Sequence, residues 1–296
     1  MTRIAMLSFG VLLVACVRLP ADAPTKEQVA ELVKQLKTGD AAAQTRAAAA
    51  LEALGPDAGD AVPVLVEALR DMDQADVPPV AVRALARIGA PAVPALAEAL
   101  KDKKPEVQAL AARTLKRIGP DAKEAVPALA EAAKKWKSPQ NAAALEAIAA
   151  LGAIGSGAKE AVPALAAILK EKAPAPFAGA RQNAAIALGQ IGPAAKGAVP
   201  ALTDALKVPA GEGGPLCWHA AAALGRIGPD AKDAVPGLAD LLKDKKLGPA
   251  RRVAAEALGG IGPDAKAAVP ALKDAANDAE VGDAATQALG KIEGKK

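Results

Sequence analysis

The sequence predicts an all-α fold, an α-solenoid (α-α superhelix) of about eight stacked helix pairs. Three observations carry that prediction. A variant of Ala-Val-Pro-x-Leu recurs seven times, with its proline at Pro63, Pro94, Pro127, Pro163, Pro200, Pro236 and Pro270. Successive spacings are 31, 33, 36, 37, 36 and 34 residues, the range of repeats that stack helix pairs instead of surrounding one core. Alanine dominates the composition, whereas aromatics reduce to Phe9, Phe177, Trp136 and Trp218, with no tyrosine. Alanine is the best helix former and lets helices approach closely. The alternating β-branched and aromatic runs that mark strands are missing.

The chain starts with an export-like segment, residues 1–23. Arg3 supplies a short positive region, and Ile4 opens an apolar run to Ala15 that is too short to span a bilayer. Two processing sites compete there. Leu13-Val14-Ala15-Cys16 looks like a bacterial lipobox, which makes Cys16 the lipidation site and suggests a periplasmic or cell-envelope lipoprotein. Ala21-Asp22-Ala23 looks like an ordinary cleavage site and suggests a secreted soluble protein, although Pro24 is a poor residue after a scissile bond. Cleavage after Ala23 leaves Cys217 as the one thiol, so no intramolecular disulfide forms and the fold stands on packing.

Residues 24–296 read as one solenoid. The unit across residues 118–155 shows how a repeat is built. Ile118-Gly119-Pro120-Asp121 closes one helix, with Gly119 expected in a left-handed conformation and Pro120 blocking continuation. Ala122-Lys123-Glu124 reads as a short link. Pro127 then falls in the first turn of an outer helix, where the missing N–H costs little. That helix is expected to run to about Lys135. Lys137-Ser138-Pro139 turns the chain into an inner helix over about residues 140–154. There Leu145, Ile148, Leu151 and Ile154 recur at three-residue steps on one face. The first pair, about residues 25–55, lacks the proline motif and takes Thr25 as its expected N-cap.

The strings Leu188-Gly189-Gln190-Ile191-Gly192, Leu224-Gly225-Arg226-Ile227-Gly228 and Leu258-Gly259-Gly260-Ile261-Gly262, each followed by Ala-Val-Pro, resemble HEAT repeats. The nearest subtype is the short HEAT-like repeat also found in phycobilisome (bilin) lyases. The resemblance covers about residues 25–293. It implies that the second helix of each pair lines a concave face and begins with Val-Arg. Here that start is degenerate, as Val107-Gln108, Ala180-Arg181, Leu216-Cys217 and Ala250-Arg251, which puts an arginine-based ladder between repeats in doubt.

Counting back two, six and nine residues from each terminal glycine places residues roughly on one face of the inner helices. In the first three repeats this face collects Arg46, Arg83, Arg87, Arg113 and Arg117, with Lys116 beside them. Guanidinium forks suit carboxylates and phosphates, so the strip reads either as a binding surface for an acidic partner or as solvated arginines lying over alanine. Further along, the same face carries His219 and Arg226. A glycine-rich turn, Gly211-Glu212-Gly213-Gly214-Pro215, leads into Trp218, which reads either as an interface anchor or as filler between repeats six and seven. Phe177 sits in a second long turn.

These features favour a non-catalytic scaffold that presents a concave surface to a protein partner, with no cofactor, no metal and a monomeric state. The glycines are not followed by Gly-Lys-Ser/Thr, so no phosphate loop is present. The lone His219 lacks companions for a zinc site, and Cys217 and His219 are two apart on a helix and point apart. A net charge of +4 and the scarcity of stacking aromatics weigh against nucleic acid. Contact with a membrane is expected only through lipid on Cys16. The bilin-lyase resemblance implies the alternative, an enzyme subunit.

Overall fold

The computed structural model describes residues 26–71, 76–138, 142–171, 178–207 and 216–294. Residues 1–23 with Cys16, Thr25, Pro139, Phe177 and the 211–215 turn lie outside them. The described chain is helical throughout and forms eight pairs. The outer helices are α1 (Lys26–Thr38), α3 (Val62–Ala68), α5 (Val93–Ala99), α7 (Val126–Ala133), α9 (Val162–Lys170), α11 (Val199–Ala205), α13 (Val235–Lys243) and α15 (Val269–Ala275). The inner helices are α2 (Ala41–Leu54), α4 (Val77–Ile88), α6 (Pro105–Ile118), α8 (Ala142–Ile154), α10 (Ala178–Ile191), α12 (Leu216–Ile227), α14 (Gly248–Ile261) and α16 (Gly282–Glu293). Each inner helix packs on its own outer helix and on the inner helix of the next repeat.

The recurring motif now has a job for each residue. Leu65, Leu96, Leu129, Leu165, Leu202, Leu238 and Leu272 are all fully buried. Full burial stabilises by about 1.5–3 kcal/mol per leucine, repeated down the stack. The prolines of the same motifs, such as Pro63 and Pro127, are exposed. They act on the backbone, because they occupy the first turn of the outer helix.

The link between pairs differs from its expectation. It is a short 3-10 helix, such as Gly119–Ala125, bent at Ala122. Its alanines Ala122 and Ala125 are fully buried, as are their counterparts Ala58 and Ala61, and Ala231 and Ala234. A larger side chain there would push neighbouring links apart. Between α4 and α5 the link shortens to Ala90–Ala92, which accounts for the 31-residue spacing from Pro63 to Pro94.

The terminal glycines also depart from expectation. Gly119 has φ 72 and ψ −132 and Gly262 has φ 75 and ψ −142, whereas the left-handed helical region lies near ψ +47°. The chain must turn sharply into the 3-10 link, and the mirror-β region makes that turn. Gly294, at φ 70 and ψ 19, takes the left-handed conformation.

Candidate functional site

The inner helices present their outward side chains as parallel rows. Arg46, Arg83, Arg87, Arg113, Lys116 and Arg117 are exposed on α2, α4 and α6, and Arg226 is exposed on α12. They do not form one free basic strip, because two glutamates divide it. Arg83 Nε donates to Glu52 of the previous inner helix at 3.1 Å. Arg113 binds Glu146 of the next inner helix through Nε at 3.0 Å and Nη2 at 2.9 Å. Lys116 reaches the other oxygen of Glu146 at 3.4 Å. The Glu146 side chain is 19% exposed against 49% for Arg113, so the carboxylate is set into the surface and the arginine folds over it. Arg46, Arg87, Arg117 and Arg226 make no ion pair among the described residues.

The two glutamate contacts share one register. The residue six before the terminal glycine in one repeat lies beside the residue three before it in the preceding repeat and nine before it in the following one. Sequence alignment within repeats places Glu146 on the strip but does not supply this offset, so the pairing was missed.

The same register explains a glycine that sequence reasoning left without a role. In the later repeats the residue three before the terminal glycine is itself glycine: Gly152, Gly189, Gly225 and Gly259. A Cβ on Gly225 would stand 2.7 Å from the Ala257 Cα, and one on Gly189 would stand 3.0 Å from the Ala223 Cα. The inner helices therefore touch backbone to backbone in the second half of the stack. Glu52, Ala86 and Lys116 hold the equivalent positions in the first half. The bare glycine also leaves room for a long side chain from the next repeat. The Arg226 Cδ lies 3.6 Å from the Cβ position of Gly189, so its stem runs over the neighbouring helix and its head reaches solvent.

Trp218 opens α12 and does not fill space between repeats: it is 41% exposed. Among the described residues it is the one large exposed hydrophobic side chain. Its ring stacks on His219, with centroids 6.1 Å apart and an interplanar angle of 5°. Burial holds the His219 imidazole below its ordinary pKa, so it is neutral at pH 7. Cys217 turns into the core, and burial pushes its thiol pKa up. A buried, protonated thiol beside an outward imidazole is inert as a nucleophile. On α8, α10 and α12 this face carries half-buried Leu145 and Ile186 and the small Ala149, Ala153 and Ala222, with the uncharged amides of Gln182, Asn183 and Gln190 on α10. The middle of the stack thus carries little charge and presents aliphatic side chains beside Trp218's helix.

The degenerate helix starts have a defined use. Gln108 Nε2 donates to the Asp102 carbonyl at 2.6 Å, Arg181 Nε to the Leu169 carbonyl at 3.1 Å, and Arg251 Nε to the Leu242 carbonyl at 2.9 Å. Each satisfies backbone at or just beyond the C-terminus of its own outer helix. Only Arg251 extends this into a bridge between repeats, with Nη2 2.7 Å from Asp278. A second bridge, Arg70 to Asp102 at 2.8 Å, connects the outer-to-inner turns of repeats two and three. Both aspartates lie below their ordinary pKa. A hydrogen bond from the Lys104 backbone and then Arg70 lower Asp102, and the Arg251 hydrogen bond leads for Asp278. Among the described residues no three His, Cys, Asp or Glu side chains converge as a metal set.

The HEAT-repeat family model matches residues 62–149, 136–212 and 216–293. The chain belongs to the HEAT-repeat family. No curated protein matches it. Among solved structures, this HEAT-repeat chain is similar to Kap121p bound to Nup53p, at 16% identity and a TM-score of 0.60, covering 90% of this chain and 33% of that one. A Kap121p mutant gives 13% identity and a TM-score of 0.54, covering 94% and 34%. The chain thus spans about a third of Kap121p. The complex of CpcE and CpcF of phycocyanin lyase from Nostoc is 22% identical over 94% of this chain and 98% of that one, with a TM-score of 0.42. At these identities the likeness to Kap121p is one of fold.

Proposed function

We propose that this HEAT-repeat protein is a non-catalytic scaffold that binds a protein partner along its inner-helix face, which forms the concave side of the superhelix. The observation that carries the reading is the content of that face. Four arginines without an ion pair among the described residues and an exposed tryptophan stand on its helices, and both residue types are enriched in binding hot spots. Kap121p, similar in fold, is bound to Nup53p in its crystal structure. The scaffold acts as a monomer and reaches its partner outside the cytoplasm, exported through residues 1–23 and held at the envelope by lipid on Cys16. A lipidated cysteine with several acyl chains anchors firmly where one chain binds marginally.

The test is crosslinking in the native host followed by mass spectrometry of what the protein captures. Recovery of one reproducible envelope protein supports the scaffold; recovery of none overturns it. Palmitate labelling that disappears in Cys16→Ala supports the anchor, and labelling retained in that variant removes Cys16 from the account.

A further inference from the structure

We propose that the inner-helix face binds one extended segment of a partner protein, acidic at one end and apolar at the other, with the two parts up to about nine residues apart. The inference rests on the scaffold reading and adds the chemistry of the ligand.

The acidic end is set by charge that the protein leaves unanswered. In repeats one to three, six cations stand on this face against Glu52 and Glu146. Those glutamates occupy Arg83, Arg113 and Lys116. Arg87 and Arg117 stay open, at equivalent positions on the adjacent helices α4 and α6. Neighbouring helix axes lie about 8–10 Å apart, so the two forks fit carboxylates about three residues apart on an extended chain. The paired residues serve a different purpose: Glu146 keeps Arg113 and Lys116 folded onto the surface and out of the way.

The apolar end is set by the change of surface at repeat four. From α8 to α12 the same rows carry Leu145, Ile186 and Trp218 over alanines, with the uncharged amides of Gln182, Asn183 and Gln190 on α10 between them. Arg226, laid across Gly189, is the one charged group of those rows over this stretch besides the committed Glu146. Neutral His219 backs the Trp218 ring without adding charge. From Arg117 to Trp218 the path crosses three helix spacings, about 24–30 Å, and the three-residue offset between neighbouring inner helices cancels most of the eight-residue difference in position along them. The resulting distance of up to about 30 Å equals up to about nine extended residues at about 3.3 Å each. A nucleic acid would answer the cations and could stack on Trp218, but finds no partner in the aliphatic Leu145, Ile186 and the alanines between.

Synthetic peptides test the proposal on the whole chain. Each carries four glutamates and a Leu-Leu-Leu block separated by a Gly-Ser spacer of three, six, nine or fifteen residues. Binding is read by anisotropy of a dye on the peptide. The proposal expects tightest binding at the nine-residue spacer. It expects a loss of about tenfold or more in Arg87→Glu/Arg117→Glu, a comparable loss in Trp218→Ala, and unchanged helical circular dichroism in both. Affinity that ignores spacer length, or survives either variant, overturns it. So does a single-stranded oligonucleotide that competes equally well in Trp218→Ala. A host partner that still crosslinks to all of these variants overturns this ligand while leaving the scaffold standing. Failure to recover any partner overturns the scaffold instead.

Discussion

Gly225 and Ala257 bring two inner helices into backbone contact: a Cβ on Gly225 would stand 2.7 Å from the Ala257 Cα. The facing Gly260 is equally tight, with a Cβ position 2.5 Å from the Gly225 carbonyl oxygen. Neither neighbour is a flexible side-chain tip, so neither can swing away. Gly225→Ala and Gly260→Ala should each destabilise by about 1–3 kcal/mol through overpacking. Gly179→Ala provides the contrast. Nothing lies within 4 Å of a Cβ there, and φ is not positive. Helix propensity should then raise stability by up to about 1 kcal/mol. Urea titrations of the three variants check the order.

The terminal glycines are limited by conformation, not by space. A Cβ on Gly119 would meet only the Ala153 carbonyl oxygen, at 3.7 Å, an ordinary contact. Its φ of 72 with ψ −132 is the obstacle. Asparagine tolerates the left-handed helical region but gains nothing in the mirror-β region. Gly119→Asn should therefore cost as much as Gly119→Ala, about 1–3 kcal/mol. Gly294→Asn, at φ 70 and ψ 19, should be close to neutral. Hydrogen exchange should show the Gly119 damage confined to repeats three and four, because each repeat touches only its neighbours.

Arg251 serves its own repeat and the next. Arg251→Met leaves the Leu242 carbonyl without its donor, a loss of about 1–3 kcal/mol. It also frees Asp278, whose folded pKa lies below the ordinary 3.8. A lowered carboxylate pKa contributes stability above 3.8 and loses it as pH falls through the folded value. The gap between wild type and Arg251→Met should therefore be widest near neutrality and narrow in acid. Melting curves from pH 7 down to pH 2 measure it.

His219 is the one histidine of the chain, so its ring resonances need no assignment. Burial disfavours the charged form, and its midpoint in the folded protein should fall below 6.5. Because the unfolded chain binds that proton more readily, stability should decline as pH drops through 6.5. His219→Gln should remove this part of the slope. Trp218 fluorescence should follow the same midpoint, since the two rings stack.

Releasing the committed cations should strengthen anion binding. Glu146→Gln frees Arg113 and Lys116 together, whereas Glu52→Gln frees Arg83 alone. The acidic peptide should bind several-fold tighter to the first variant and by a smaller factor to the second, because exposed ion pairs are weak individually. Anisotropy titrations at low and high salt separate this electrostatic gain from a change in packing.

The repeat architecture was legible because its signals are local. Proline in a first turn and leucine one turn away report on a single helix, and the seven motifs place seven outer helices without reference to anything distant. The arginines could be placed on a face for the same reason. Their partners could not. Whether Arg113 meets Glu146 depends on the stagger between helices of different repeats, a quantity no single repeat contains. The first glycine of Leu-Gly-x-Ile-Gly stayed silent likewise, since Gly225 is explained by Ala257 on another helix. Trp218 was ambiguous because a large apolar residue reads the same way in a core and on an interface; only its 41% exposure separates them.

Joints that are made only between neighbours give this protein an unusual evolutionary freedom. Duplication or loss of one unit of 36 or 37 residues between Arg117 and Trp218 would leave both ends of the binding face intact and move them apart or together by one helix spacing, about 8–10 Å. Ligand length would then change in steps of about three residues with no new contact invented. In such a chain, recombination between near-identical segments edits recognition by copy number, well before any point mutation touches the residues that do the recognising.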